Sequence, residues 1–494
     1  MKHFEIERRF VLYPCSMKRF LKQHGIPFRS SRILQFYLVA KEGEVVRYRR
    51  RDDTYVRTVK RGSGLVREEY EEPIDRERFE EAFRRNRGGV VEKRRLLFSM
   101  GGYTFELDSF KKRLKGLNIL EVEFERESDA VGFELPDIFV TILAAEVTRN
   151  GAFTNGALSR SMRIPPIETP LEGLLAQVGR KRSLFKASVD LVFSPYESGA
   201  HALKALLFSL LKSADANREA ILQGETDPER LHQLRVAMRK IRALLSQMGG
   251  LFDPSWRLEH KERVASLMRM TGPMRDIDVY LGQMRHYRKM LPKRLHPGLA
   301  KLERHLLQCQ SKEREALEKL LLGSLFEEAF EPLMRFARDE SGEGLRDEAF
   351  TPVILPVKAA LRKRYANILK KGRRIDASSL ADEYHRVRIE VKKLRYLMEF
   401  FSSLFDAEAY TRMIERLKSI QTILGKHQDL DVQRAHLKSF ADLSQMHDET
   451  TQEALRVLRE RMHRLEIEKR AEFRKEFSDF TGTKRLFTRM ICKF

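Results

Sequence analysis

From residue 1 to about 160, charged and apolar residues alternate in short segments, the period of two that strands produce. Phe4-Glu5-Ile6-Glu7, Val46-Arg47-Tyr48-Arg49, Arg57-Thr58-Val59-Lys60 and Leu120-Glu121-Val122-Glu123-Phe124 carry it most clearly. Helices are predicted around Ser16 to His24 and over Asp75 to Arg85. Beyond Pro165-Pro166 the spacing changes to 3.6 residues, with abundant Leu, Lys, Arg and Glu, so this half is predicted to be helical. The expected organisation is a strand domain at 1–165, a linker with a helix at 166–194, and a helical domain at 195–490.

The helical half repeats itself. His232-Gln-Leu-Arg235-Val-Ala-Met-Arg239-Lys240-Ile-Arg242 aligns with His385-Arg-Val-Arg388-Ile-Glu-Val-Lys392-Lys393-Leu-Arg395. Gly272-Pro-Met-Arg-Asp276-Ile-Asp278-Val279 aligns at the same offset with Gly425-Lys-His-Gln-Asp429-Leu-Asp431-Val432. Two blocks at one offset imply that a whole unit was duplicated, with copies at about 195–340 and 350–490.

Charge narrows the class of partner. The 494 residues include 94 Lys and Arg against 71 Asp and Glu, a net charge of +23, which points to a polyanion. DNA, RNA, anionic lipid and polyphosphate all satisfy that condition. The three cysteines, Cys15, Cys309 and Cys492, are too widely spaced for a disulfide framework or a zinc site. The charged start and the lack of a long apolar run predict a cytosolic chain without a membrane span.

On the strands, alternation places Glu5, Glu7 and Arg9 on one face, with Arg47 and Arg49, Thr58 and Lys60, Arg67, Glu69 and Glu71, Lys93 and Arg95, Glu106 and Asp108, and Glu121 and Glu123. Such a face is either solvated or, if the sheet closes with it inward, a tunnel. There the bases would grip phosphate oxygens and the carboxylates hold a hard divalent cation. On the helices, His232, Arg235, Arg239 and Arg242 share one arc, as do His385, Arg388, Lys392 and Arg395, while apolar residues take another sector. A histidine among bases is expected to be neutral unless it meets an anion. The Asp276/Asp278 and Asp429/Asp431 pairs admit metal ligation, but acids beside a basic helix more often orient those bases.

In order and spacing, Glu5-x-Glu7-x-Arg9, Gln35-x-Tyr37, Arg47-x-Arg49, Thr58-Val59-Lys60, Arg67-x-Glu69-x-Glu71, Glu92-Lys93-x-Arg95, Glu106-x-Asp108, Glu121-x-Glu123 and Glu146-Val147-Thr148 resemble the CYTH domain of the triphosphate tunnel metalloenzymes. The repeated helices resemble the CHAD domain, the conserved-histidine α-helical domain. The resemblance implies a multi-domain chain, an eight-stranded antiparallel tunnel followed by two duplicated four-helix bundles. It further implies Mg2+ or Mn2+ dependence and hydrolysis or cyclisation of a triphosphate.

Carried over by motif, Glu5, Glu7, Glu121 and Glu123 would be metal ligands, with Asp108 a weaker candidate. Arg47, Arg49, Lys60, Arg67, Lys93 and Arg95 would bind triphosphate, and Arg9 and Lys60 hold catalytic positions. His232, Arg235, Arg239, Lys240, Arg242, His385, Arg388, Lys392, Lys393 and Arg395 would bind polyphosphate. One departure stands out: the family opening ends in Lys where this chain has Arg9, and a guanidinium does not readily become a neutral base. The expected function is an inorganic triphosphatase with a polyphosphate-binding helical domain, located in the cytoplasm or at polyphosphate granules. The alternative is a polyphosphate-binding or granule-targeting protein with a weak tunnel. No specific nucleic-acid partner, membrane partner or adenine pocket is expected.

Overall fold

The computed structural model describes residues 6–491 apart from 14–15, 42–43, 62–67, 141, 166, 168–169, 181–182 and 377. Glu5 and Arg67 lie outside the described residues, as does the Lys60 side chain.

The alternating half forms nine strands: β1 (Ile6–Leu12), β2 (Arg29–Lys41), β3 (Glu44–Arg51), β4 (Thr54–Arg61), β5 (Glu68–Pro73), β6 (Val91–Met100), β7 (Tyr103–Phe110), β8 (Asn118–Phe124) and β9 (Leu143–Glu146). They make one antiparallel sheet in the order β5-β4-β3-β2-β6-β7-β8-β1-β9. This is one strand more than the eight expected. Four-residue β9 is too short to show a period, and it is fixed outside β1 by Arg8, whose Nε and Nη2 donate to Glu146 at 2.9 and 2.8 Å. Between β6 and β7 the chain reverses through Gly101 and Gly102, both at positive φ (58° and 83°), where glycine meets no steric penalty.

Five helices accompany the sheet: α1 (Met17–Gln23), α2 (Arg76–Arg85), α3 (Glu127–Gly132), α4 (Asp137–Val140) and α5 (Asn155–Ser161). The apolar strand positions Phe10, Phe98, Phe105, Leu107, Val122 and Phe124 pack against Met17, Leu21, Phe133 and Phe139. Phe36 packs against Phe79 and Ala82 of α2. Helices therefore cover the apolar face, and on the charged face Gln35, Thr58, Lys93, Asp108 and Glu121 are buried, so that face turns inward.

Twelve helices follow: α6 (Leu171–Gly179), α7 (Gly199–Leu222), α8 (Pro228–Gln247), α9 (Pro254–Met270), α10 (Gly272–Met290), α11 (His296–Leu322), α12 (Ser324–Arg338), α13 (Ile354–Gly372), α14 (Ala381–Phe400), α15 (Ala407–Ala441), α16 (Glu449–Thr481) and α17 (Lys484–Ile491). The duplication holds helix by helix. α8 matches α14, α11 matches α16, and the pair α9 and α10 matches the single helix α15. Pro273 divides the first copy after Thr271, and Lys426 at the corresponding place lets α15 run on. Asp253 and Asp406 occupy equivalent N-caps, each accepting backbone N–H groups at the helix start.

Both copies share a large apolar core from α6 to α17. A second core joins α10 and α11 to the end of α15 and the start of α16. The segment read as a linker lays α6, Ala187, Val189, Leu191 and Phe193 into the large core. Tyr196 then reaches back to the strand domain: its hydroxyl donates to the Leu12 carbonyl and lies 3.2 Å from that of Gly116. It completes an apolar plug of Val11, Val91, Phe110, Ile119, Phe153 and Leu158 at one end of the inward sheet face. Among the described residues no helix is long and apolar enough to cross a membrane.

Candidate functional site

Register assembles the inward face. Arg9 lies opposite Glu121, and Glu7 opposite Glu123. Glu106 pairs with Glu121, Arg95 with Asp108, Tyr37 with Arg47, Gln35 with Arg49, and Thr58 with both Arg47 and Glu71. The backbone of Lys60 pairs with that of Glu69.

At the centre, Lys93 and Asp108 are each 1% exposed and form an ion pair at 2.5 Å. Lys93 Nζ also donates to Asn155 Oδ1 of α5 at 3.0 Å. Arg95 holds both Asp108 oxygens, Nε to Oδ1 at 2.8 Å and Nη2 to Oδ2 at 2.6 Å, and it pairs with Glu106 and, at 3.2 Å, with Glu121. Burial alone would raise the Asp108 carboxyl, but Lys93 and Arg95 override it and hold the group at about 2. Burial pulls the Lys93 ammonium below its ordinary value, opposed by Asp108. Asp108 thus has both oxygens committed to buried bases and acts as their counter-ion.

On one side, Arg47 donates to Glu71 at 2.7 Å and to Thr58 Oγ1 at 3.1 Å, and Thr58 donates to Glu71 at 2.8 Å. Arg49 stands beside it, lowered by burial and then by Arg47, with its Nε buried and without a hydrogen-bond partner among the described residues. On the other side, Arg9 bridges two acids, Nη2 to Glu7 and Nε to Glu121 at 3.2 Å. Glu123 is exposed. Among the described residues no group of three His, Cys, Asp or Glu converges to hold a metal. Glu7 and Glu121 are hard oxygen donors on adjacent strands, and both are paired with Arg9.

In the helical domain, α8 and α14 pack together and bring their basic faces to one groove. Arg239 acts electrostatically on Arg388 and Lys392 across the two copies. Arg235 donates to the Met268 carbonyl at 2.7 Å and to Thr271 Oγ1 at 2.6 Å, which ties α8 to the α9–α10 break. His232 is lowered by burial and then by Arg275, while His385 Nδ1 lies 2.6 Å from Gln428 Oε1. Arg395 pairs with Glu399 at 3.3 Å, and Arg242 reaches the Met268 sulfur at 3.6 Å. Asp276 and Asp429 face these bases, whereas Asp278 accepts from Gln310 at 2.9 Å.

Two expected groove residues are placed elsewhere. Lys240 is buried, donating to the Ala187 carbonyl at 2.9 Å and pairing with Glu399 at 3.0 Å. Lys393 joins Arg364 and Lys371 around buried Glu390. Each sits one residue, or about 100°, round the helix from the basic face, so packing claims its charge.

A model of the CHAD domain matches residues 205–438. Over 162 residues, 32% of this chain and 98% of the relative, the chain is 35% identical to an inorganic triphosphatase of Nitrosomonas europaea. The chain belongs to the CYTH–CHAD family. The crystal structure of the CHAD domain from the plant Ricinus communis covers 60% of this chain and 97% of its own, with a TM-score of 0.50 at 22% identity, and shows the fold. An uncharacterized protein of Mycobacterium tuberculosis is 26% identical over 218 residues, 42% of this chain and 39% of that protein.

The CYTH part gains residues that alternation alone does not single out. Asn155 comes from α5, beyond the last long strand, and Tyr37 faces Arg47, Arg49 and Arg160. In the CHAD part, Arg275 faces His232 and Arg235 across the groove. No periodic signal marks Asn155 or Arg160, because their helix is only seven residues long.

Proposed function

We propose that the CYTH domain hydrolyses the terminal anhydride of inorganic triphosphate or short polyphosphate in the presence of Mg2+ or Mn2+, while the CHAD domain holds longer polyphosphate. The observation that carries this reading is the charged sheet face on which half-buried Arg47, Arg49 and Arg95 lie on the same side as the carboxylates Glu7 and Glu121, with Arg95 paired directly to Glu121. Arg49, with a buried donor lacking a hydrogen-bond partner among the described residues, suits an anionic oxygen. Thr58 and Glu71 orient Arg47, and Asp108 and Glu106 orient Arg95, so both guanidinium planes are fixed before substrate arrives. Glu7, Glu121 and Glu123 would hold the cation, Glu5 joining them by motif. When bound, it would polarise the phosphoryl group and activate water. The Nitrosomonas relative's name supports triphosphate as the substrate class.

A second reading has one specific support. Arg9 already bridges Glu7 and Glu121, so a guanidinium competes with the cation for the same carboxylates. In that reading the tunnel is weak and the chain serves to hold polyphosphate, in the cytosol or at granules.

The division of labour is tested by reversing Arg235, Arg239, Arg388 and Lys392 to Glu. The expected result is lost retention of inorganic polyphosphate with continued triphosphate turnover; retained polyphosphate would remove the groove from the proposal. Easy displacement of bound DNA by polyphosphate is the expected competition result, and resistance to it would favour a nucleic-acid partner.

A further inference from the structure

The groove between the two CHAD repeats has a junction that neither repeat makes alone. Arg239 of α8 faces Arg388 and Lys392 of α14, and the Nε groups of both arginines are buried without a hydrogen-bond partner among the described residues. From α15, Asp429 faces Arg388 and Lys392. Arg395 is a further charged neighbour of Lys392 on α14 itself. The α13 residues Arg364 and Lys371 are turned to Glu390, on another side of α14. Asp429 thus meets two cations, Arg388 and Lys392, with Arg239 facing both from α8, and both arginines bury donors without a hydrogen-bond partner among the described residues. That is a site in want of an anion with several oxygens.

We propose that this inter-repeat junction is a phosphate subsite whose loading takes up a proton, so that the helical domain grips polyphosphate more tightly on the acid side of neutrality than on the alkaline side. The proposal rests on the reading of the CHAD domain as a polyphosphate holder. Burial, then Arg388 and Arg239, push the Lys392 ammonium down to about 7, against the pull of Asp429. In mildly alkaline solution the empty junction therefore carries mostly the neutral amine. Phosphate oxygens placed between Arg239 and Arg388 restore the ammonium, and the proton comes from solvent. In acid the ammonium is already present and Lys392 takes up nothing. By linkage, affinity is fully expressed below the pKa of the empty site and falls as pH rises above it. His232, which begins the basic face of α8 and is lowered by burial and then by Arg275, adds uptake only on the acid side.

The test is calorimetric titration of the full chain with inorganic polyphosphate of defined length at pH 8, in two buffers of different ionisation enthalpy, comparing wild type with Lys392→Arg. Arginine keeps the charge and does not titrate in this range. Wild type is expected to take up about one proton per junction filled, and to lose affinity on the order of tenfold between pH 6.5 and 8.5. Lys392→Arg, shown to be folded by circular dichroism, is expected to bind without that uptake and with a flatter pH profile. Equal uptake by the two proteins would overturn the proposal. Absence of polyphosphate binding by folded wild type at both pH values would overturn the reading of the CHAD domain itself.

Discussion

Replacing Asp108 by Asn keeps the shape of the side chain at the centre of the tunnel and removes its charge. Lys93, 1% exposed, and Arg95, 11% exposed, then face each other without the carboxylate that now receives both. Breaking a buried ion pair from one side costs about 3–5 kcal/mol, because the remaining charge stays buried. The pH dependence gives a second, signed check. In wild type the Asp108 carboxyl is held at about 2 against an ordinary 3.8, a contribution of about 2 kcal/mol that is present above pH 4 and lost as pH falls through 2. The variant lacks this limb. Lys93 is depressed by burial even with Asp108 beside it, and falls further without it. A lysine depressed in the folded state destabilises it near neutrality, and the penalty shrinks as pH rises toward the unfolded value. Stability of Asp108→Asn is therefore expected to climb from pH 7 to 10 more steeply than that of wild type. Amide hydrogen exchange of β6 and β7 in urea measures the strand domain, while fluorescence of Trp256, the chain's one tryptophan, reports the helical domain as an internal control. A loss under 1 kcal/mol, or stability that falls over that pH range, would refute the reasoning.

Arg49→Ala is expected to raise KM for triphosphate about tenfold or more, equivalent to about 1.4 kcal/mol of lost binding, with unchanged or slightly higher stability in urea because a buried donor lacking a hydrogen-bond partner disappears. Arg9→Lys is expected to lower the metal concentration giving half-maximal turnover, since one ammonium bridges Glu7 and Glu121 less completely than a guanidinium; an unchanged metal titration would make Arg9 a phosphate anchor only. Tyr196→Phe removes the hydroxyl that meets the Leu12 and Gly116 carbonyls, and is expected to lower the strand-domain transition by about 1–2 kcal/mol while the Trp256 signal changes less.

Much of this architecture is legible in the letters because its periods are local. The alternation around Val46-Arg47-Tyr48-Arg49 assigns Arg47 and Arg49 to one face, and the repeat offset predicts that whatever α8 does, α14 does again. Alternation leaves open whether the charged face is solvated. The burial of Gln35, Thr58, Lys93, Asp108 and Glu121 settles that, while Phe36 with Phe79 and Phe98 with Phe139 place helices on the opposite side. Pairings between distant elements carry no local signal. Asn155 reaches Lys93 from 62 residues away, and Arg239 meets Arg388 only because the two duplicated helices pack on one another. Lys240 and Lys393 show the converse. Adjacent to groove residues in sequence, they point a quarter-turn away and are taken up by Glu399 and Glu390.

The central claim is that this chain's tunnel is a metal-dependent triphosphatase, and phosphate release from inorganic triphosphate with Mg2+ or Mn2+ tests it most directly. Wild type is compared with Glu7→Gln/Glu121→Gln. Release that needs the cation and falls about 100-fold or more in the double variant is the predicted result. No release by folded wild type, or equal release by both proteins, would contradict it.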